Sequence, residues 1–124
     1  MTKQVISGGS TEGLPLSDAI RAGDFIFVSG MVGCGPDGKI VEGGIAAEID
    51  RIMVDAADVL KRAGASISDI VKVTVYLVDA SDFAAFNRAY AAYFPKEPPA
   101  RVGVVTGLTI SAKVEMDFIA YTGA

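Results

Sequence analysis

Arg101 is the side chain in this sequence best suited to bind an acidic group. It follows Pro98-Pro99-Ala100, and the prolines make the approach to this arginine stiff because their backbone torsions are restricted. A planar guanidinium held in one place can bind a carboxylate through two hydrogen bonds. A structural ion pair is the alternative for an isolated arginine, and both interpretations stay open at this point.

Two carboxylates, Glu115 and Asp117, lie two positions apart in a segment with strand patterning. Side chains at this spacing share one face of a strand, where two carboxyl groups can exchange protons with a substrate or a water molecule. A solvated or ion-paired sheet edge is the plainer interpretation, and the pair taken alone favours it.

The chain has one cysteine, Cys34, and no histidine. This excludes intrachain disulfides, zinc sites of the usual Cys/His type and every triad that uses histidine. A thiol with no neighbouring base or cation is poorly activated, so we interpret Cys34 as an incidental loop residue rather than a nucleophile. Catalysis must then depend on other polar side chains, backbone groups or a positioned water.

The glycine-rich segment at residues 33–38 satisfies the spacing GxGxxG and follows a predicted strand. A dinucleotide-binding fingerprint also needs a helix that begins at the loop, so that its N-terminus faces the pyrophosphate. Pro36-Asp37-Gly38 instead suits a type I turn, with proline second and glycine fourth. We interpret the segment as a turn and expect no nucleotide there.

Length and composition predict a single domain over residues 1–124 with one hydrophobic core. Hydrophobic residues make up 51% of the chain, and 15 acidic against 11 basic side chains give a net charge of −4. This charge disfavours nucleic acid as a partner. Apolar runs are only a few residues long and the N-terminus has no apolar leader, so we expect no membrane span and a cytoplasmic protein.

Periodicity predicts the elements that position these side chains. A Gly23-Asp24 turn joins two strands, and apolar residues on both faces of the second strand require cover on both sides, one of them from a neighbouring subunit. The spacing predicts helices over residues 45–63 and 83–94, the second capped by Asp79 or Ser81, and strands over residues 71–77, 101–105 and 112–121. The expected fold is α+β with the order βββαβαββ, a mixed sheet and both helices on one face.

Four segments in sequence resemble one known family, the RidA/YjgF reactive intermediate deaminases. The resemblance runs over residues 15–121 and rests on Pro15 followed by RAGDFIFVSG at residues 21–30, DFAAFNRAY at 82–90, PPAR at 98–101 and KVEMDFIA at 113–120. It implies a chorismate-mutase-like fold that assembles into a homotrimeric barrel with clefts between subunits. It also implies hydrolysis of 2-imino or enamine acids to 2-keto acids and ammonia, with no metal and no organic cofactor.

The resemblance also implies the site residues. Arg101 is similar to the arginine that binds the substrate carboxylate, and Glu115 to the glutamate that positions the attacking water. Asn87 matches an asparagine near the cleft. The remaining expected substrate contacts come from Gly103, Gly30, Met31 and Leu16.

Departures from the family pattern concern the size and polarity of the pocket. Leu16 stands where a tyrosine is common, Gly103 where a cysteine is common, and Leu108-Thr109 replaces a Leu-Pro pair. The first two changes enlarge or depolarise the implied pocket. Two alternatives therefore stay open: a deaminase for a larger enamine acid, such as an aminomuconate or aminoacrylate-type compound, and a non-catalytic trimeric protein that binds small molecules.

Overall fold

The computed structural model describes residues 3–8 and 11–123, in which six strands and two α-helices follow the predicted order βββαβαββ. The strands are β1 (Lys3–Ile6), β2 (Ala19–Ala22), β3 (Phe25–Met31), β4 (Ile70–Leu77), β5 (Ala100–Val105) and β6 (Val114–Tyr121). The helices are α1 (Gly44–Arg62) and α2 (Phe83–Ala91).

The six strands form one sheet in the spatial order β1-β2-β3-β6-β4-β5. All neighbours are antiparallel except β4 and β5, which run parallel and are connected through α2. The predicted mixed sheet is confirmed, and β5 lies at one of its two edges. The two helices pack on each other, and α1 packs on β3 and β6 at the centre of the sheet.

Strand alternation creates the core between the sheet and the helices. Val114, Met116 and Phe118 alternate along β6 and are at most 1% exposed. Ile49 and Ile52 of α1 are fully buried. Each such side chain contributes about 1.5–3 kcal/mol by leaving water, so this layer fixes which face of each strand points outward.

The opposite face of the sheet has no cover within the described chain. Phe25 and Phe27 of β3 are 43% and 47% exposed, and Val102 and Val104 of β5 are 46% and 42% exposed. Cross-strand register places Val102 beside Thr74 and Val104 beside Tyr76, on the side away from the helices. β3 was predicted to need cover on both faces, and the described part of its own chain covers only one of them.

Three local predictions need correction or refinement. α2 ends at Ala91 rather than Phe94, because Tyr93 and Phe94 donate to carbonyls three residues back in a tightened last turn before Pro95. Asp79 caps a short 3-10 turn, Ala80–Asp82, that precedes α2. β4 begins at Ile70 rather than at residue 71, and a register shift between Ile70 and Lys72 leaves Val71 exposed.

The turn interpretation of residues 33–38 is confirmed. Gly38 donates to the carbonyl of Gly35 at 3.0 Å, and Gly35 donates to Lys39 at 2.8 Å, which closes a tight hairpin. Gly38 has φ +77°, a conformation that favours glycine. The first helix begins only at Gly44, so no helix N-terminus opens from this loop.

Candidate active site

The guanidinium of Arg101 lies over aromatic rings of α2. The parallel pairing of β5 with β4 aligns Arg101 with Val73, which places it on the helix-covered side of the sheet. Its Cζ is 4.9 Å from the ring centroid of Tyr90, 5.5 Å from Phe86 and 5.8 Å from Phe83. No hydrogen bond or ion pair joins the Arg101 side chain to another residue within residues 3–8 and 11–123, so the guanidinium donors are available to a ligand.

A cavity of about 210 Å³ lies beside this arginine, between β5, the end of β4 and the start of α2. Apart from Arg101 its walls are apolar or backbone. Gly103 contributes no side chain, and nothing lies within 4 Å of where its Cβ would be. The other walls come from Val75, Leu77, Ala80, Phe83, Phe86, Val104 and Val105.

Glu115 lies on the other face of the sheet, directly across from Tyr76 of β4. Its side chain is half-buried beside the bulge of β3, where a β-carbon on Gly30 would overlap Oε2 of Glu115. Burial, followed by the charge of Asp117, raises the pKa of Glu115 above its ordinary value. This carboxyl group therefore keeps its proton to higher pH than an exposed glutamate does.

Tyr76 and Asp117 form a polar pair next to Glu115. The Tyr76 hydroxyl donates to Oδ2 of Asp117 at 2.9 Å, and this hydrogen bond is the main cause of the raised pKa of Tyr76. The contact between Tyr76 and Asp117 depends on the β4–β6 register, which the local sequence pattern does not fix. Glu115 and Asp117 do share a face, as predicted.

The remaining predicted residues are spread over both faces. Leu16 is 46% exposed in the loop before β2, and Ser29 holds that loop near Gly30 by donating its hydroxyl to the carbonyl of Ser17 at 2.6 Å. Met31 packs against the core opposite Met116. Asn87 is half-buried on α2, adjacent in sequence to Phe86.

One chain consequently carries two separate groups of predicted site residues. Arg101 and Gly103 lie on the helix side of the sheet, whereas Glu115 and Gly30 lie on the open side. β4 also separates the strands that carry Arg101 and Glu115. Within a single chain, the arginine and the glutamate are not brought together.

Cys34 lies apart from both groups, in the tight hairpin before α1. Its Sγ lies 3.8 Å from the carbonyl oxygen of Gly38. Burial raises the pKa of the thiol, and the charges of Asp55 and Asp37 add to the effect. These surroundings disfavour the thiolate, which agrees with the interpretation of Cys34 as an incidental thiol.

A family model described as Endoribonuclease L-PSP matches residues 12–122. The chain belongs to this family, which is the RidA/YjgF family. The RidA/YjgF resemblance of the four sequence segments is thus confirmed. No helix in the described part of the chain combines the length and hydropathy needed to cross a bilayer.

Relatives in the RidA/YjgF family are similar over most of the chain. A RutC family protein of Pyrococcus abyssi is 46% identical over 109 residues, which is 86% of each chain. A human protein named 2-iminobutanoate/2-iminopropanoate deaminase is 33% identical over 127 aligned positions, covering 99% of this chain and 93% of the human one. The crystal structure of a Rid family protein from Yersinia pestis is 32% identical, with a TM-score of 0.90 over 97% of this chain and 99% of that chain.

Proposed function

We propose that the chain is a hydrolytic deaminase that converts reactive 2-imino or enamine acids to 2-keto acids and ammonia. The observation that carries the proposal is an arginine beside an apolar cavity whose side chain has no hydrogen-bond or ion-pair partner among the described residues. Membership of a family in which the human relative is named an imine deaminase supports the same reaction. The enzyme acts on a carbon–nitrogen bond and uses neither a metal nor an organic cofactor.

In this reaction, Arg101 binds the substrate carboxylate and the apolar cavity accepts its hydrocarbon part. Water attacks the iminium carbon, a carbon–oxygen bond forms, and the carbon–nitrogen double bond becomes single. Glu115 takes a proton from that water and returns it to the nitrogen. The carbon–nitrogen bond then breaks as the carbonyl forms, and the hydroxyl proton released in this step converts the leaving ammonia to ammonium. Iminium and water thus give the keto acid and ammonium, and the protein supplies position rather than a nucleophile.

The opposite orientation of Arg101 and Glu115 requires a site between subunits. We infer that Arg101 of one protomer faces the open sheet side, and therefore Glu115, of the next protomer. The exposed face that carries Phe25, Phe27 and Val104 then becomes the inside of the homotrimeric barrel. Assembly would cover this apolar surface and complete the site in the same step.

Two alternatives keep the arginine and change its use. Gly103 leaves the cavity wall open, which favours a larger enamine acid such as an aminomuconate or aminoacrylate-type compound over the smallest imines. A non-catalytic trimer that binds a small acid is the other alternative. Turnover rates for substrates of graded size separate the three possibilities. Faster turnover of the larger acids favours the first alternative, faster turnover of the smallest imines favours the main proposal, and binding without turnover favours the second alternative.

The remaining partners and the location stay predictions from sequence. The net charge of −4 disfavours RNA as a substrate, although the matching family model is described as an endoribonuclease. Incubation with a labelled single-stranded RNA tests this directly, and we expect no cleavage. A cytoplasmic location and a single domain over residues 1–124 also remain part of the proposal.

The decisive experiment generates 2-iminopropanoate and 2-iminobutanoate in situ with a dehydratase and measures how fast semicarbazide-trappable imine disappears. We expect Arg101→Ala to lower kcat/KM by about a hundredfold, since a charge-assisted hydrogen-bonded pair contributes about 1.5–3 kcal/mol. The kcat/KM of Arg101→Lys should lie between the values for the wild type and Arg101→Ala, because lysine keeps the positive charge but cannot form the two parallel hydrogen bonds.

Arg88→Ala is the matched control, because Arg88 is an exposed arginine on the same helix, α2, and is not among the residues that line the cavity. We expect this variant to match the wild type. If the wild type does not exceed the uncatalysed rate, or if Arg101→Ala equals Arg88→Ala, the proposed function is wrong.

A further inference from the structure

Tyr90 is the aromatic residue whose ring lies nearest to the Arg101 guanidinium, at 4.9 Å. It is only 6% exposed and is held between two other rings, Phe86 at 5.3 Å and Phe94 at 4.8 Å. A ring packed on both sides cannot rotate away without moving its neighbours. Tyr90 is therefore a fixed surface, unlike Phe83, which is 48% exposed.

The Tyr90 ring stabilises the guanidinium of Arg101 and leaves the N–H donors of the guanidinium unoccupied. A cation over a π face is attracted by the quadrupole of the ring, whereas a carboxylate partner would occupy the same N–H groups that a ligand needs. In the described part of the chain, Arg101 has aromatic contacts and no acidic partner. Its orientation therefore depends on the rings.

The Tyr90 hydroxyl does not explain the residue's place in the cluster. This oxygen is buried and has no hydrogen-bond partner within the described residues. Burying an unpaired hydroxyl destabilises a protein, so the hydroxyl gives nothing to the fold as it stands. What Tyr90 gives Arg101 is its ring.

We propose that Tyr90 is the positioning residue for Arg101: its buried ring holds the guanidinium at the cavity so that a carboxylate meets a preorganised binding group. This inference rests on the proposed carboxylate binding by Arg101. It adds that the preference for an acid over a neutral ligand depends on a residue that does not itself touch the substrate.

The test compares the affinity of each variant for 2-oxobutanoate with its affinity for the uncharged 2-oxobutanamide. Tyr90→Leu should reduce the acid-to-amide preference by about tenfold, because a desolvated cation–π contact contributes on that scale. Tyr90→Phe keeps the ring and should retain the wild-type preference. Loss of the acid preference in Tyr90→Phe would overturn the inference, because the hydroxyl of Tyr90, and not its ring, would then be responsible for the preference.

Tyr93→Leu is the matched control, since it removes a partly buried ring three residues beyond Tyr90 that has no contact with the guanidinium or with the Tyr90 ring among the described pairs. It should weaken acid and amide binding equally, if at all. Should Tyr90→Leu fail to fold, Tyr90→Met replaces it, because a flexible methionine fills the buried space but has no π face for the guanidinium, and we expect the same loss of preference.

The outcomes separate this inference from the proposed function. A wild-type protein that does not prefer the acid contradicts carboxylate binding and therefore both statements. A wild type that prefers the acid, together with a Tyr90→Leu variant that prefers it equally, contradicts the positioning role alone.

Discussion

Gly30 lies so close to Glu115 that a β-carbon at position 30 would occupy the space of the Glu115 carboxylate. The conflict is purely steric, because Gly30 is not among the glycines with positive φ in the described chain. The bulge of β3 therefore determines where this carboxylate can lie.

We predict that Gly30→Ala lowers kcat/KM for imine hydrolysis by about 10- to 100-fold, since displacement of a proton-transfer group by about 1 Å costs on that scale. The backbone conformation should tolerate alanine, so the fold is retained. Gly107→Ala is the control, because Gly107 has no neighbour within 4 Å of an added Cβ and no positive φ. Equal rates for both variants would argue against a role for the Glu115 carboxylate at this position.

Asp117 affects the pH at which Glu115 ionises. The charge of Asp117 adds to burial in raising the pKa of Glu115. If the ionised carboxylate accepts the proton from water, activity falls as the pH decreases through this raised pKa. Asp117→Asn removes the like charge and lowers the pKa of Glu115, so the acidic limb of the kcat/KM profile should move to lower pH.

The measurement is kcat/KM between about pH 4 and pH 8, the range in which carboxyl groups with raised pKa values titrate. Glu42→Gln makes the same change in net charge at an exposed position in the loop before α1 and should leave the profile in place. A limb that moves to higher pH in Asp117→Asn would contradict the assignment of Glu115 as the group that must be ionised.

The open sheet face provides a test of assembly. Phe27→Glu places a charge at the centre of the exposed apolar surface, where Phe27 pairs with Ile20 of β2 and Ile119 of β6. If that face becomes the inside of the trimer, the charge would be desolvated, and we expect monomers by light scattering and loss of deamination.

Val54→Glu is the control for this experiment, because Val54 is an apolar residue of α1 that is 59% exposed, against 47% for Phe27. It should remain a trimer and keep its activity. Phe27→Glu that stays trimeric and active would exclude this face as the interface.

Phe118 belongs to the buried layer between the sheet and the helices, which fixes the face of the sheet to which each side chain points. Replacing Phe118 tests how much this layer contributes to stability. Phe118 is 1% exposed and lies between Val28 and Val73 in the neighbouring strands. Phe118→Ala should lower the free energy of unfolding by about 3–5 kcal/mol, because it removes a large buried side chain and leaves a cavity. Urea unfolding at fixed protein concentration measures this, and Val54→Ala should change stability by no more than about 0.5 kcal/mol.

The sequence predicts the elements well because their signals are local. β6 alternates strictly, α1 has a continuous apolar stripe and stops beside Gly64 with φ +87°, and the Pro36 turn follows from proline and glycine preferences. The shared face of Glu115 and Asp117 follows from strand geometry alone. These features depend on neighbours within a few residues along the chain.

The relationship between Arg101 and its surroundings could not be predicted in this way. Phe83, Phe86 and Tyr90 have the spacing of a helix face, but which strand they cover depends on tertiary packing. Whether Arg101 points to α2 depends on the β4–β5 register, and no local residue pattern fixes the register of a parallel pair joined through a helix. For the same reason, the opposite orientation of Arg101 and Glu115 becomes clear only in the folded chain.

The position of β5 at the sheet edge has a consequence for newly made chains. All six of its residues are exposed, and it includes three valines but neither lysine nor proline, the residues that commonly keep edge strands from pairing with other chains. As long as it is uncovered, this strand can extend the sheet of a misfolded neighbour. In the proposed trimer, assembly would therefore compete with aggregation during synthesis, and slow association would lower the yield of soluble protein even where each chain folds correctly.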